Sequence, residues 1–322
     1  MGAIFIRHTR FLLIGLSLLL AMGCEKIIDI NIPDSERKIV VNGIISADQT
    51  LSVNLSKSLT VLEPDELVYL AGADVNLFNG AVMIGKLTAD TAGQYFLPDF
   101  KPLTGLTYRL TVDYPGLKSV EATTTVPEMV PITSYDTLVT TSEWGYKDYR
   151  LKVVFNDPEN VPNYYGLSVY ITFKEIDYIT MEPTGKVITR LLYIYADSDL
   201  FLKDESHNYG GKIYFDDLLF DGQAKTTEVG IYDYMFYQTD TVQVEVHLEQ
   251  LDPSYYKYVV SNEAYQSAHN NPFAEPVQVY TNVSEGFGIF SSYSIASRTF
   301  TVIGGGGGKE SKSSLSCNRM QR

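Results

Sequence analysis

The sequence predicts an all-β, mainly antiparallel protein: an N-terminal immunoglobulin- or transthyretin-like β-sandwich followed by a larger β-rich domain with one helix in its C-terminal region. Three observations lead there. The chain is rich in residues that suit a pleated, half-buried surface, with 24 Tyr and 15 Phe among 322 residues. Turn signals recur every ~8–12 residues between short runs of alternating or continuous apolar character. Helical spacing is convincing in one place alone, 253–269.

Residues 1–23 follow the order of a secretory leader: Arg7 and Arg10, an apolar stretch over 11–22, then Gly23-Cys24. That stretch falls short of the ~20 residues a membrane-spanning helix needs. Leu20-Ala21-Met22-Gly23-Cys24 resembles a lipobox, departing from the commoner pattern at Ala21 and Met22. Cys24 is therefore the expected lipid attachment point, and two or three acyl chains would anchor far more firmly than one. Residues 24–35 read as a tether, with Pro33-Asp34 breaking regular structure.

The first domain is placed at 36–127. Residues 38–46 and 50–56 are strands paired through the turn at 47–49. Asn79-Gly80 between 75–78 and 81–84 predicts a type I′ hairpin, because that dipeptide readily supplies positive φ. Strands at 93–96, 107–113 and 120–126 complete the sandwich, and Pro127 to Pro131 is a linker.

The second domain spans 128–303. Its expected strands are 149–156, 164–173, 190–195, 226–232, 241–248, 277–282 and 288–303. Asp252-Pro253 suits an N-cap followed by proline at the first helical position, and it opens the helix at 253–269. The glycines of Gly286-Phe-Gly-Ile-Phe290 permit a tight return, with Phe287 and Phe290 supplying buried area. Residues 304–322, opening with five glycines, read as a disordered tail.

Lys plus Arg number 25 and Asp plus Glu 39, a net charge of −14 that falls to −16 once Arg7 and Arg10 leave with the leader. Such acidity argues against a nucleic-acid partner, since that binding rests on a basic face. With Cys24 acylated, only Cys317 remains, which leaves no intramolecular disulfide and no CxxC site. His207, His247 and His269 lack zinc-site spacing, no Gly-x-Ser-x-Gly elbow occurs, and Gly304 to Lys309 does not satisfy the phosphate-loop pattern. No cofactor is expected.

Two acidic stretches could donate oxygens to calcium: Asp197, Asp199, Asp204 and Glu205, and then Asp216, Asp217 and Asp221. Trp144, the single tryptophan, with nearby Tyr146 and Tyr149, is a candidate contact for a ligand or partner.

Several blocks, taken in order, resemble a family of Bacteroidota lipoproteins described by domain of unknown function 4249 (DUF4249). They are Cys24-Glu-Lys-Ile-Ile-Asp29, Ile39-Val-Val-Asn-Gly-Ile44, Asn156-Asp-Pro158 with Asn163-Tyr-Tyr165, Phe215-Asp-Asp-Leu-Leu-Phe-Asp-Gly222, Leu251-Asp-Pro-Ser-Tyr-Tyr-Lys-Tyr258, Asn271-Pro-Phe-Ala-Glu-Pro-Val-Gln-Val-Tyr-Thr-Asn282, and Gly286-Phe-Gly-Ile-Phe290. The resemblance implies an outer-membrane lipoprotein facing the periplasm or cell surface, often encoded beside a TonB-dependent transporter, with no assigned catalytic residues. The expected function is thus a non-enzymatic accessory to such a transporter, through ligand capture or assembly contacts. A surface hydrolase or carbohydrate-processing enzyme using Asp and Glu, and an adhesin-like structural module, remain open alternatives.

Overall fold

The computed structural model describes residues 36–60, 66–91, 93–141, 147–177, 179–180, 182–196, 207–209, 211–232, 241–269 and 273–303. In chain order the strands are β1 (Ile39–Ser46), β2 (Ser52–Lys57), β3 (Val68–Tyr69), β4 (Asp74–Asn79), β5 (Val82–Lys86), β6 (Thr88–Thr91), β7 (Gln94–Phe96), β8 (Thr107–Asp113), β9 (Val120–Thr125) and β10 (Ile132–Thr141). There follow β11 (Lys147–Asn156), β12 (Tyr164–Ile176), β13 (Pro183–Leu191), β14 (Tyr193–Ala196), β15 (His207–Tyr209), β16 (Lys212–Asp216), β17 (Ala224–Tyr232), β18 (Thr241–Leu251), helix α1 (Pro253–His269) and β19 (Phe287–Ile303). Among the described residues the protein is all-β apart from α1, as its composition predicts.

One 11-stranded sheet runs β15-β16-β12-β18-β19-β1-β2-β7-β6, with β13 beside β12 and β3 beside β2. Two four-stranded sheets, β5-β4-β8-β9 and β10-β11-β17-β14, cover it. Each covering sheet encloses its own core. The first core holds Ile39, Val41, Leu55, Val75, Leu77, Tyr95, Tyr108 and Leu110, and the second Leu151, Val153, Phe155, Tyr165, Leu167, Val244, Val246 and Leu248. Alternation explains the division: β8 reads eBiBiBe and β9 BeBeBe in burial, so one face of each strand is core and the other is wet.

Val126 belongs to the first core and Val130 to the second, and β19 joins the two. Its first half pairs with β1 in parallel (Val40 with Phe287 through Ser46 with Tyr293), placing Phe290 in the first core. Its second half pairs antiparallel with β18, from Tyr293 opposite Leu251 to Ile303 opposite Thr241.

Four local expectations change. The strand expected at 190–195 is two, since β13 ends at Leu191 beside β12 in the large sheet and β14 starts at Tyr193 beside β17 in a covering sheet. Asn79 pairs with Val82, so the β4–β5 turn is Gly80-Ala81, and only Gly80 has positive φ (56°). That is the type II′ pattern, in which glycine fills the first central position. Residues 277–282 form no strand. Asn282 takes the place of one: its Oδ1 accepts from Phe290 N–H (3.0 Å), and its Nδ2 donates to Phe290 O (2.7 Å) and Thr123 O (3.1 Å). Phe287 is 43% exposed beneath Lys38, and Phe290 alone is buried.

Helix α1 spans the predicted residues and lies on the outer face of the large sheet. Tyr255 and Val259 pack there with Tyr214 and Leu251, and Tyr256 stacks on Tyr164 at 4.7 Å.

Candidate functional site

The sandwich of the second core ends in two loops, 157–163 between β11 and β12 and 217–223 between β16 and β17. Both are polar and turn-rich, and the chain ties them together through side chains. Asp157, Asp217 and Asp221 each bring a carboxylate oxygen within 4.8 Å of the others, the single such group of three or more metal-binding side chains among the described residues. Asp157 and Asp217 are buried and Asp221 is exposed.

Asp157 accepts the Tyr165 hydroxyl in a short hydrogen bond on Oδ1 and Gly222 N–H on Oδ2 (2.8 Å). Asp217 Oδ2 accepts from Asn163 twice, from its backbone N–H (2.7 Å) and its Nδ2 (3.1 Å). Asp221 Oδ1 accepts Asn160 N–H (3.0 Å). Asn163 also donates to the carbonyls of Pro158 and Val161, and its Oδ1 accepts Gln250 Nε2 from β18 (2.7 Å). The result is a polar network that pins both loops to the large sheet.

Burial pushes the Asp157 carboxyl above its ordinary value of 3.8; the Tyr165 and Gly222 donors oppose this, while the charges of Asp217 and Asp221 add to it. Burial and the neighbouring Asp157 likewise push the Tyr165 hydroxyl up. Three crowded carboxylates offer the oxygen donors a hard cation takes. Much of their capacity is already spent inside the protein, because both oxygens of Asp157 and one each of Asp217 and Asp221 hold the loops.

A second polar feature lies on the outer face, beside α1. Glu249 of β18 is buried with Oε1 on Lys212 Nζ at 2.5 Å, and its Oε2 has no hydrogen-bond partner. Gly166 lies opposite on β12, where a Cβ would stand 3.1 Å from that oxygen.

Of the residues singled out from sequence, Asp217 and Asp221 meet as a pair, and Asp216 instead accepts Leu218 N–H within its own turn (3.2 Å). Asp157 was not in that acidic set. The signal for it was the block Asn156-Asp-Pro158 beside Asn163-Tyr-Tyr165, whose members join the network. Tyr149 lies on β11 facing the second core, 8% exposed. Cys24, Trp144, Tyr146, Asp197, Asp199, Asp204 and Glu205 lie outside the described residues. His247 contacts Glu245 (2.8 Å) and the Tyr170 ring, and His269 stacks on Tyr265 at the end of α1.

No curated protein matches the chain. Residues 25–299 match the family described as Domain of unknown function (DUF4249), and since this is most of the chain, including both cores and the loop network, the protein belongs to that family.

Proposed function

We propose that the protein is a non-enzymatic lipoprotein of the outer membrane, held by Cys24 and working beside a TonB-dependent transporter through ligand capture or assembly contacts. The observation that carries this reading is the N-terminal arrangement. A leader-like segment ends at Cys24, and the family match begins at residue 25, directly after it. The body fits a binding or assembly role: the acidic side chains that come together, Asp157, Asp217 and Asp221, hold two loops in place.

Two measurements test it. Metabolic labelling with palmitate should mark the wild-type chain and not Cys24→Ala. Crosslinking in intact cells followed by purification should enrich an outer-membrane transporter over the level seen with an unrelated lipoprotein. Equal labelling of both chains removes the anchor, and no enrichment removes the accessory role.

A further inference from the structure

The two loops that end the second sandwich turn three aliphatic side chains to solvent. Val161 is 55% exposed, Leu218 66% and Leu219 42%. Single exposed leucines are ordinary on a protein surface, but three aliphatic side chains on one pair of joined loops form a patch. The next residue shows that their direction is set by the fold. Phe220 is buried in the second core against the Phe155, Tyr165 and Phe215 rings. Its N–H donates to Asp217 O (2.7 Å) and its carbonyl accepts Gln223 N–H (2.9 Å), so two successive turns leave Leu218 and Leu219 outside.

The patch is also fixed in place. Backbone bonds lace the loops together, from Asp217 N–H to Asn163 O (3.1 Å) and from Asp157 N–H to Gln223 O (3.0 Å). The carboxylates of Asp157 and Asp217 add bonds from Gly222 and Asn163, and Asn163 Nδ2 holds the Val161 carbonyl (2.6 Å). Groups fixed before binding lose little conformational entropy on contact, which favours recognition.

Charge narrows what can cover the patch. Residues 156–163 and 216–224 contain Asp157, Glu159, Asp216, Asp217 and Asp221, and no Lys, Arg or His. Lys225, just beyond, lies over the Phe220 ring (5.3 Å). Glu159 and Asp221 are exposed on the same loops as the apolar side chains. A second copy of this tip would set acid against acid, and negatively charged membrane surfaces draw in basic segments, not acidic ones. A protein recess that is aliphatic at its floor and carries Lys or Arg at its rim matches both components.

We propose that Val161, Leu218 and Leu219, within their acidic surround, form a docking tip for a partner protein with such a recess. On the reading given above, this is the surface that makes the assembly contact.

The test places a benzophenone amino acid at Leu218 of the full lipidated chain and irradiates intact cells. A single protein adduct is expected, well above that from the same amino acid at Ile179, which is 94% exposed between β12 and β13. The partner's crosslinked peptide, read by mass spectrometry, should combine aliphatic residues with Lys or Arg. Glu159→Lys, which keeps the Cβ and Cγ that lie against Gly222, should lower the adduct yield about fivefold or more, as should Val161→Ser, with the far-ultraviolet circular dichroism unchanged. No adduct above the control, an adduct with lipid or with a second copy, a partner peptide lacking basic residues, or a yield indifferent to Glu159→Lys would each overturn the proposal. An adduct whose basic partner is not an outer-membrane transporter keeps the docking tip and removes the accessory role. A transporter enriched by the wild type, with no adduct at Leu218, does the reverse.

Discussion

A methyl group on Gly288 would stand 2.0 Å from the carbonyl oxygen of Val41, at a backbone φ of 86° that L side chains rarely adopt. The glycine is what lets β19 lie parallel against β1 and join the two cores in one sheet. Gly288→Ala is therefore expected to cost about 3 kcal/mol or more, from the clash with backbone added to the strain of positive φ. Gly72→Ala supplies the contrast, since φ there is 78° but nothing lies within 4 Å, and it should cost only about 1 kcal/mol. Urea titration of both variants decides the matter; equal losses would mean that the close approach to Val41 contributes nothing.

Asp252 is 6% exposed and holds three elements at once. It caps α1 by accepting Ser254 N–H (2.8 Å), accepts the Ser291 hydroxyl of β19 (3.0 Å), and accepts Thr125 N–H at the end of β9 (3.3 Å). An N-cap alone contributes about 1 kcal/mol, and hydrogen bonds to a buried charge about 1.5–3 each. Asp252→Ala should lose about 3 kcal/mol or more in urea titrations, with Asp252→Asn intermediate because it keeps the cap but turns an amide N–H toward one donor. A loss near 1 kcal/mol for both would leave the cap as its whole contribution.

The helix over 253–269 was legible because its start is written locally, in Asp252-Pro253 and the helical repeat that follows. The strands of the first core were legible for a similar reason, since period-two alternation shows wherever one face is dry. β10 was not. Its sequence, Ile-Thr-Ser-Tyr-Asp-Thr-Leu-Val-Thr-Thr, does not alternate cleanly, because at the open side of the sandwich Tyr135, Leu138 and Val139 are all exposed. The parallel pairing of β1 with β19 joins residues about 250 apart in the chain, beyond the reach of any local pattern. At the loop site, Asp217 and Asp221 were visible as neighbours in sequence, whereas Asp157 reaches them only through the fold. The mistaken strand at 277–282 has its own cause: Asn282 bonds to β19 with a side-chain amide, which strand propensity does not register.

Asp157 gives a pH dependence with a defined sign. Its folded-state carboxyl is held above 3.8, so the native state binds that proton more tightly than the unfolded chain does. The resulting contribution is fully present below about 3.8 and lost as pH rises through the folded-state value. Asp157→Asn removes the titration. The melting temperature of the wild type minus that of Asp157→Asn should accordingly be greatest in acid and decline with rising pH. Calorimetry across this range would show a constant difference if the carboxyl were unperturbed.

Lys212 and Glu249 make the opposite case, a buried pair whose value lies in its completeness. Burial works against the Lys212 charge, but Glu249 at 2.5 Å, together with the Tyr255 and Tyr170 hydroxyls, more than offsets it and holds the ammonium above its ordinary 10.5. Stability from this pair is fully present below about 10.5 and is lost as pH rises through the raised value. Lys212→Met should then cost about 3–5 kcal/mol at neutral pH, because it leaves Glu249, whose Oε2 already lacks a partner, as an uncompensated buried charge. Adding Glu249→Gln to Lys212→Met should recover most of that loss, since a neutral amide needs no counter-charge. A double-mutant cycle by urea denaturation reads the coupling directly, and additive losses would show that the two side chains stabilise the outer face independently.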